Sequence, residues 1–212
     1  MKTVQTGPET RHESKTRILD AALDVIRAKG YAAARIEDIC EAAGLTKGSF
    51  FHHFKSKEEL ALAAARHWGE VTAAVFTSAP YRALPDPLDR LLGYVDFRKA
   101  LLRGALAEFT CFAGTTVQET YDTHPAISDA AGQVIGDHAA TLEADIAEAM
   151  RQYGVAAECS AESLALYTQA VIQGAFILAK AKHGPDAAAA CLDHLHRYLE
   201  LLFRRTKAKE RA

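Results

Sequence analysis

The chain has 212 residues, 49% of them hydrophobic and 25% charged, which is enough to bury a core and excludes a disordered or fibrous chain. Alanine supplies much of the apolar content and β-branched runs are scarce, so the composition favours helices. The net charge of −2 hides an uneven distribution: residues 1–57 carry ten Lys/Arg against seven Asp/Glu, residues 58–203 ten against nineteen, and residues 204–212 five against one. A locally positive N-terminal unit on an acidic body is compatible with a nucleic-acid partner despite the overall sign.

No run of 18 apolar residues marks a membrane span, and Met1–Glu13 lacks the apolar centre of a secretory signal. We therefore expect no membrane partner and a cytoplasmic location. Cys40, Cys111, Cys159 and Cys191 are far apart, form no close-spaced metal pattern and are expected as free thiols.

The first helix is predicted from about Ser14 to Lys29. Ile18, Ala22 and Val25 lie on one side with Leu19, Leu23 and Ile26 beside them, and Gly30 stands where a left-handed cap belongs. A short second helix covers about Ile36 to Ala43, with Ile36, Ile39, Cys40 and Ala43 facing inward. Gly44 makes a sharp turn, and Thr46 caps a third helix from Lys47 to His53. There Phe50 and Phe54 share a face and read as core. Ser56 to Glu59 is a capping box that opens a fourth helix to about Thr77. The proline-bearing segment Ser78–Pro87 is the clearest break. Helices are then expected at about Leu88–Leu102, Leu106–Tyr121, Pro125–Tyr153, Ala161–His183 and Asp186–Lys207. No period-two alternation marks a strand, so the fold is predicted all-α with about nine helices. We divide it into a head, residues 1–57 (ordered from about 12), and a body, residues 58–212.

Two short helices joined by a glycine turn, the second opening Lys47-Gly48-Ser49, fit a major-groove reader. Short side chains allow the backbone near DNA, and free amides at the helix start favour phosphate. Over Arg17–Leu62 the residues closely resemble the N-terminal domain of the TetR (tetracycline-repressor type) family of regulators. The carriers are Ile18 to Ala21, Gly30-Tyr31, Ile36 to Ala43, Gly44 to Ser49, His53-Phe54 and Lys55 to Leu60.

The resemblance implies DNA contact by Lys47, Gly48 and Ser49 at the bases, with Thr46 also in the DNA-binding set, and by Phe51, His52, His53 and Lys57 at the groove edge and phosphates. For His52-His53 a solvated helix end is the alternative. Two positions depart from the family. Phe51 lacks the hydroxyl of the usual tyrosine, and Arg35 replaces the usual Thr or Ser cap, losing about 1 kcal/mol while offering another phosphate contact.

In the family the body binds a small molecule and makes the dimer, usually through the last two long helices. Here Tyr167, Val171, Gly174 and Leu178 recur at helical spacing on one, and Leu195, Leu199 and Leu202 on the other. A two-fold dimer would space its recognition helices by ~34–36 Å and require a near-palindromic site. Candidate ligand-cavity residues are Trp68, Phe97, Phe109, Phe112 and Tyr121 as apolar walls, with Arg103, Glu108, Gln118 and His124 as polar groups. Ala107–Ile127, with its Cys-x-x-Gly-Thr element and His-Pro, also resembles a branch of the family with electrophile- and oxidant-responsive members. Cys111 is the matching residue. A sensor thiol and a small hydrophobe between Phe109 and Phe112 are the two readings, the second preferred.

Enzymatic readings find little support. Cys191 and His194 share a helical face, but His196 points about 200° away from His194, and no Gly-rich phosphate loop, nucleophile elbow or zinc-protease helix occurs. We expect no metal, cofactor or catalytic residue. The expected partners are operator DNA, a small-molecule inducer and a second copy of the chain. Repression and activation are not separable at this level. The basic tail (Arg204, Arg205, Lys207, Lys209, Arg211) reads as a frayed end.

Overall fold

The computed structural model describes residues 11–155 and 159–209. Among them are ten α-helices, one 3-10 turn at Pro80–Ala83 and no strand. The helices are α1 (Arg11–Lys29), α2 (Ile36–Ala43), α3 (Lys47–His53), α4 (Lys57–Thr77), α5 (Pro87–Ala100), α6 (Leu106–Phe109), α7 (Phe112–Thr120), α8 (Pro125–Tyr153), α9 (Ala161–Ala181) and α10 (Asp186–Lys209). The side chains of the basic tail lie outside the described residues.

Local chemistry sets these boundaries. α1 stops at Gly30, whose φ of 84° an L side chain rarely adopts. Asp86 caps α5, its Oδ1 accepting from the Leu88 and Asp89 amides at 2.8 and 3.3 Å, and Pro87 begins the helix without needing a donor. The single helix expected over Leu106–Tyr121 is instead two. Thr110 and Cys111 are extended: Thr110 Oγ1 donates back to the Leu106 carbonyl at 2.7 Å, and Cys111 Sγ accepts from the Gly114 amide at 3.3 Å. Two side chains that hydrogen-bond the backbone in opposite directions end one helix and begin the next, which raises the count from nine to ten.

Two apolar clusters hold the fold. Ile18, Ile26, Ile39, Phe50, Phe54 and Leu60 form the first, under α1 to α3. Each side chain of this size contributes roughly 1.5–3 kcal/mol on full burial. This cluster does not end with the head. Ala61, Ala64 and Ala65 of α4 belong to it, as do Phe112 and Ile127 from the body. The second cluster packs α5, α8, α9 and α10 through Tyr94, Leu142, Ile146, Ile172, Leu192 and Phe203, and it also takes Phe76 from the far end of α4.

Two expectations are corrected here. Leu195 and Leu199 are 2% and 0% exposed, because the Leu192-Leu195-Leu199-Phe203 stripe of α10 turns into the chain's own core. Phe112 is fully buried under Trp68, with ring centroids 6.3 Å apart, so it supports a wall without lining a cavity. α9 is long and apolar enough to cross a membrane by length and composition, with a mean hydropathy of 1.3, but it is a core helix of the second cluster.

Candidate nucleic-acid interface

The turn between α2 and α3 is fixed from several sides. Gly44 has φ 64° and its amide donates to the Glu41 carbonyl at 3.0 Å, while Leu45 N–H reaches Cys40 O at 2.9 Å. Arg17 of α1 donates Nη2 to the Ala43 carbonyl. Thr46 Oγ1 then accepts from the Ser49 amide at 3.2 Å and starts α3. Phe50 (0% exposed) and Phe54 (2%) anchor the inner face of this short helix and its cap. The outer face is uncovered: Thr46, Lys47, Gly48, Phe51 and His52 are exposed and Ser49 is half-buried.

Gly48 has no internal reason to be glycine. A Cβ there would meet only Thr46 Oγ1, at 3.6 Å.

Beside this face lies a surface hollow of about 330 Å3 lined in part by Arg35, Glu37, Lys47, Phe51 and Lys57, three cations against one carboxylate. Glu37 pairs with Lys47, and the hydrogen bond from Lys47 holds its carboxyl below the ordinary range. Arg35 is exposed and does not cap α2 with its side chain. Asp38 supplies the missing hydrogen bond, accepting from the Arg35 amide at 3.1 Å, and this bond chiefly holds the Asp38 carboxyl low.

Two predicted contacts serve the head internally. Lys57 Nζ donates to the carbonyls of Tyr31 (3.0 Å), Ala34 (3.1 Å) and Ala32 (3.4 Å) and sits 4.4 Å from the Tyr31 ring centroid. Three donors on three carbonyls make it the brace of the α1–α2 loop. His53 Nε2 is 2.7 Å from Ser14 Oγ, so it ties α3 to α1, leaving His52 as the outward imidazole.

Between head and body is a cavity of about 370 Å3. Of the predicted residues, Trp68, Glu108, Phe109 and Cys111 line it. Gln118 lines, with Cys111 and Lys180, a neighbouring cavity of about 240 Å3. The remaining predictions fall elsewhere. Phe97 packs on Phe76 and Tyr81, Tyr121 is 72% exposed, and Arg103 is exposed and lines neither cavity. His124 precedes α8 with its ring against Tyr31, at 5.1 Å. Sequence reasoning missed α1 as a wall: Asp20, Leu23, Asp24 and Arg27 all line the larger cavity. It also missed Phe76, Arg98 and Phe176. The available signal was an arginine at the end of each apolar stretch, Arg27 after Ile26 and Arg98 after Phe97.

Cys111 is half-buried, packs against the second cluster and lines both cavities, while its sulfur caps α7. On the outer surface, Leu166, Tyr167, Ile177 and Leu178 of α9 and Tyr198 and Leu201 of α10 are all more than 40% exposed. Tyr167 and Tyr198 pack with their rings tilted, centroids 5.2 Å apart. Val171, Gly174 and Leu202 are half-buried, and a Cβ on Gly174 would meet open space.

Residues 18–64 match the family described as bacterial regulatory proteins, tetR family, and residues 87–195 match the tetracyclin repressor-like C-terminal domain. Among named relatives, the HTH-type transcriptional regulator CymR of Pseudomonas putida is 46% identical over 59 residues, 28% of this chain and 29% of that protein. The curated relatives it matches are covered over only 20–48% of their own length, so those likenesses speak for part of each protein. A TetR transcriptional regulator from Chloroflexus aurantiacus superposes with a TM-score of 0.78 at 26% identity, covering 90% of this chain and 96% of that one. CifR, solved as a cysteine mutant with 26-bp double-strand operator DNA, shares the fold at 19% identity and a TM-score of 0.72, over 86% of this chain and 94% of that one. With its head and most of its body matched, the chain belongs to the tetR family of bacterial regulatory proteins.

Proposed function

We propose that this chain is a homodimeric transcriptional repressor. Residues 1–57 bind a near-palindromic operator in double-stranded DNA, and the body, residues 58–212, releases it when a small molecule fills the 370 Å3 cavity. The observation that carries this reading is α3, anchored by Phe50 and Phe54 and open on its other face at Lys47, Gly48, Ser49, Phe51 and His52. Lysine donates to guanine acceptors, serine to either base type, and an aromatic face lies against a thymine methyl. Glycine inside a helix costs roughly 0.5–1 kcal/mol against alanine; with open space around Gly48, close approach of an outside surface accounts for it. Arg35 beside the hollow is suited to phosphate.

The exposed apolar strip on α9 and α10, with Tyr167 and Leu178 in it and Gly174 leaving room for a facing helix, supports pairing with a second copy. Coupling follows from the cavity's walls. Asp20, Leu23, Asp24 and Arg27 belong to α1 of the head, and Arg27 Nη1 donates to the Glu108 carbonyl of α6 at 3.2 Å. A ligand that binds one head orientation better than the other shifts the dimer away from the spacing the operator requires.

The test is fluorescence anisotropy of the purified chain on duplex DNA from upstream of its own gene, at two salt concentrations. Salt-sensitive binding that the Lys47→Ala, Ser49→Ala variant weakens about ten-fold or more supports the reading. Failure to bind there and in an unbiased duplex selection refutes it.

The place of Cys111 in the lining of both cavities favours a second reading, a thiol response to electrophiles. The S–H adds across an activated alkene: an S–C bond forms, the π bond breaks and the proton goes to the adjacent carbon. Unchanged induction by such compounds in Cys111→Ser rejects it.

A further inference from the structure

The inner wall of the larger cavity holds a cation with no carboxylate on it. Arg98 of α5 is half-buried there. Its Nε donates to Tyr94 Oη at 3.0 Å and its Nη2 to His138 Nε2 at 2.8 Å, and the guanidinium lies 4.2 Å from the Phe76 ring centroid. Arg27, Arg82 and Arg90, the other described arginines withdrawn from solvent, each hold an aspartate. Among the described residues Arg98 forms no ion pair.

Hydrogen-bond roles around Arg98 are forced. A guanidinium only donates, so His138 Nε2 accepts. Tyr94 Oη accepts from Arg98 and from Gln169 Nε2 at 2.8 Å, which leaves its own proton to share, at 3.0 Å, the His138 Nε2 lone pair that Arg98 also uses. His138 is therefore a neutral imidazole, and burial, reinforced by Arg98 and Arg82, pushes its pKa down to about 3. Thr72, Trp68, Gln169 and Gln173, which share with Arg98 an adjoining void of about 20 Å3, are uncharged. Among the residues lining this void, Arg98 alone carries a formal charge.

The cavity's carboxylates are more exposed than Arg98. Asp20, Asp24 and Glu108 are exposed; Asp20 lies 2.7 Å from His67, and Asp24 2.5 Å from Arg27. Being exposed, they stay solvated, while Trp68, Phe76, Phe109 and Phe176 provide the apolar walls, Phe76 against Arg98 itself. A cation withdrawn from water is desolvated at a cost that an incoming counter-ion offsets, and the planar guanidinium fork matches a carboxylate. The volume is at the small end of the roughly 300–1,000 Å3 range of ligand cavities.

We propose that the cavity receives an apolar organic acid, an aromatic or aliphatic body bearing one carboxylate, with Arg98 as the residue that pairs that carboxylate. The inference rests on the ligand-cavity reading above and gives it a chemical class. Neutral and cationic compounds of the same shape leave Arg98 uncompensated and bind more weakly.

The test is calorimetric titration of the full chain with 1-naphthoate, 1-naphthamide and 1-naphthylmethylammonium, three ligands sharing one ring system and differing in charge. Naphthoate is expected to bind at least about ten-fold more tightly than the amide, with the ammonium weakest. Arg98→Gln is expected to erase that preference and Arg98→Lys to keep part of it. The comparison on the unmodified chain needs no variant, so a poorly folded Arg98→Gln, detected by thermal melting, leaves the test intact. Failure of naphthoate to bind, equal binding of the three, or an unchanged preference in a folded Arg98→Gln overturns the inference. Adding the same ligand to the operator complex separates the two readings. Naphthoate that binds through Arg98 yet leaves DNA bound refutes ligand-driven release and leaves the acid site standing.

Discussion

The head and the body place their cations differently. In the head, Arg35 and Lys47 stand on the surface, 75% and 57% exposed, loosely paired with Asp38 and Glu37. Such pairs contribute little to stability, screen with salt and exchange partners readily. In the body, Arg98 is held by Tyr94, His138 and the Phe76 ring and has no carboxylate to exchange. The first arrangement suits a long polyanion met at many points. The second suits one small anion met at a single point. Sensitivity to salt should therefore mark the head, and sensitivity to pH the body.

The sharpest way to break this comparison is to remove the head's anchor. Phe50→Ala is expected to lower stability by about 3–5 kcal/mol and to abolish operator binding. Because Phe112 and Ile127 of the body sit in the head's cluster and α4 contributes to both clusters, calorimetric melting should keep a single transition. A separate low-temperature head transition would mean that the two regions unfold independently.

The next effect belongs to the body. His138 stays neutral in the folded chain down to about pH 3, whereas an unfolded imidazole takes its proton near 6.5. Between those values the unfolded state binds more protons, so stability falls as pH falls, by about 1.4 kcal/mol per unit at most. Urea unfolding at a series of pH values checks this, and His138→Gln should flatten the slope. A profile identical in the two proteins would place the pH dependence elsewhere.

Gly48→Ala sharpens the contrast at smaller scale. It is expected to raise thermal stability by about 0.5–1 kcal/mol while weakening operator binding, a pair of opposite effects that core positions do not give. The smallest change is Glu37→Gln. It frees Lys47 from its internal partner and is expected to tighten operator binding by a few-fold in anisotropy, with the gain shrinking as salt rises.

Legibility in the sequence followed the range of the interactions. The capped helices α2 and α3, Gly44 between them and Phe50 with Phe54 depend on contacts within a few residues, and spacing alone located them. The break at Thr110–Cys111 was hidden because its cause is two side-chain hydrogen bonds inside an otherwise helical composition. Lys57 and His53 were read outward, as phosphate contacts, because the family resemblance implied it and nothing near them in the chain offered another partner. Their partners, the α1–α2 loop carbonyls and Ser14, are distant in the chain. On α10 periodicity identified an apolar stripe but not which of two neighbours it meets. Leu195 and Leu199 face inward, and Tyr198 and Leu201 face out. Arg98 escaped notice for the same reason, since its isolation from carboxylates is a property of four helices at once.

The double membership of α1 bears on how such a chain can be recombined. Its Ile18, Ala22 and Ile26 carry the head's core, while Asp20, Leu23, Asp24 and Arg27 form one side of the cavity. A cut at the loop before α4 would therefore divide the cavity as well as the chain. Grafting this head onto a foreign body transplants part of its chemical selectivity, and a foreign head brings a wall of its own. Productive hybrids of this protein should be those that exchange the outward residues of α3 and leave α1 where it is.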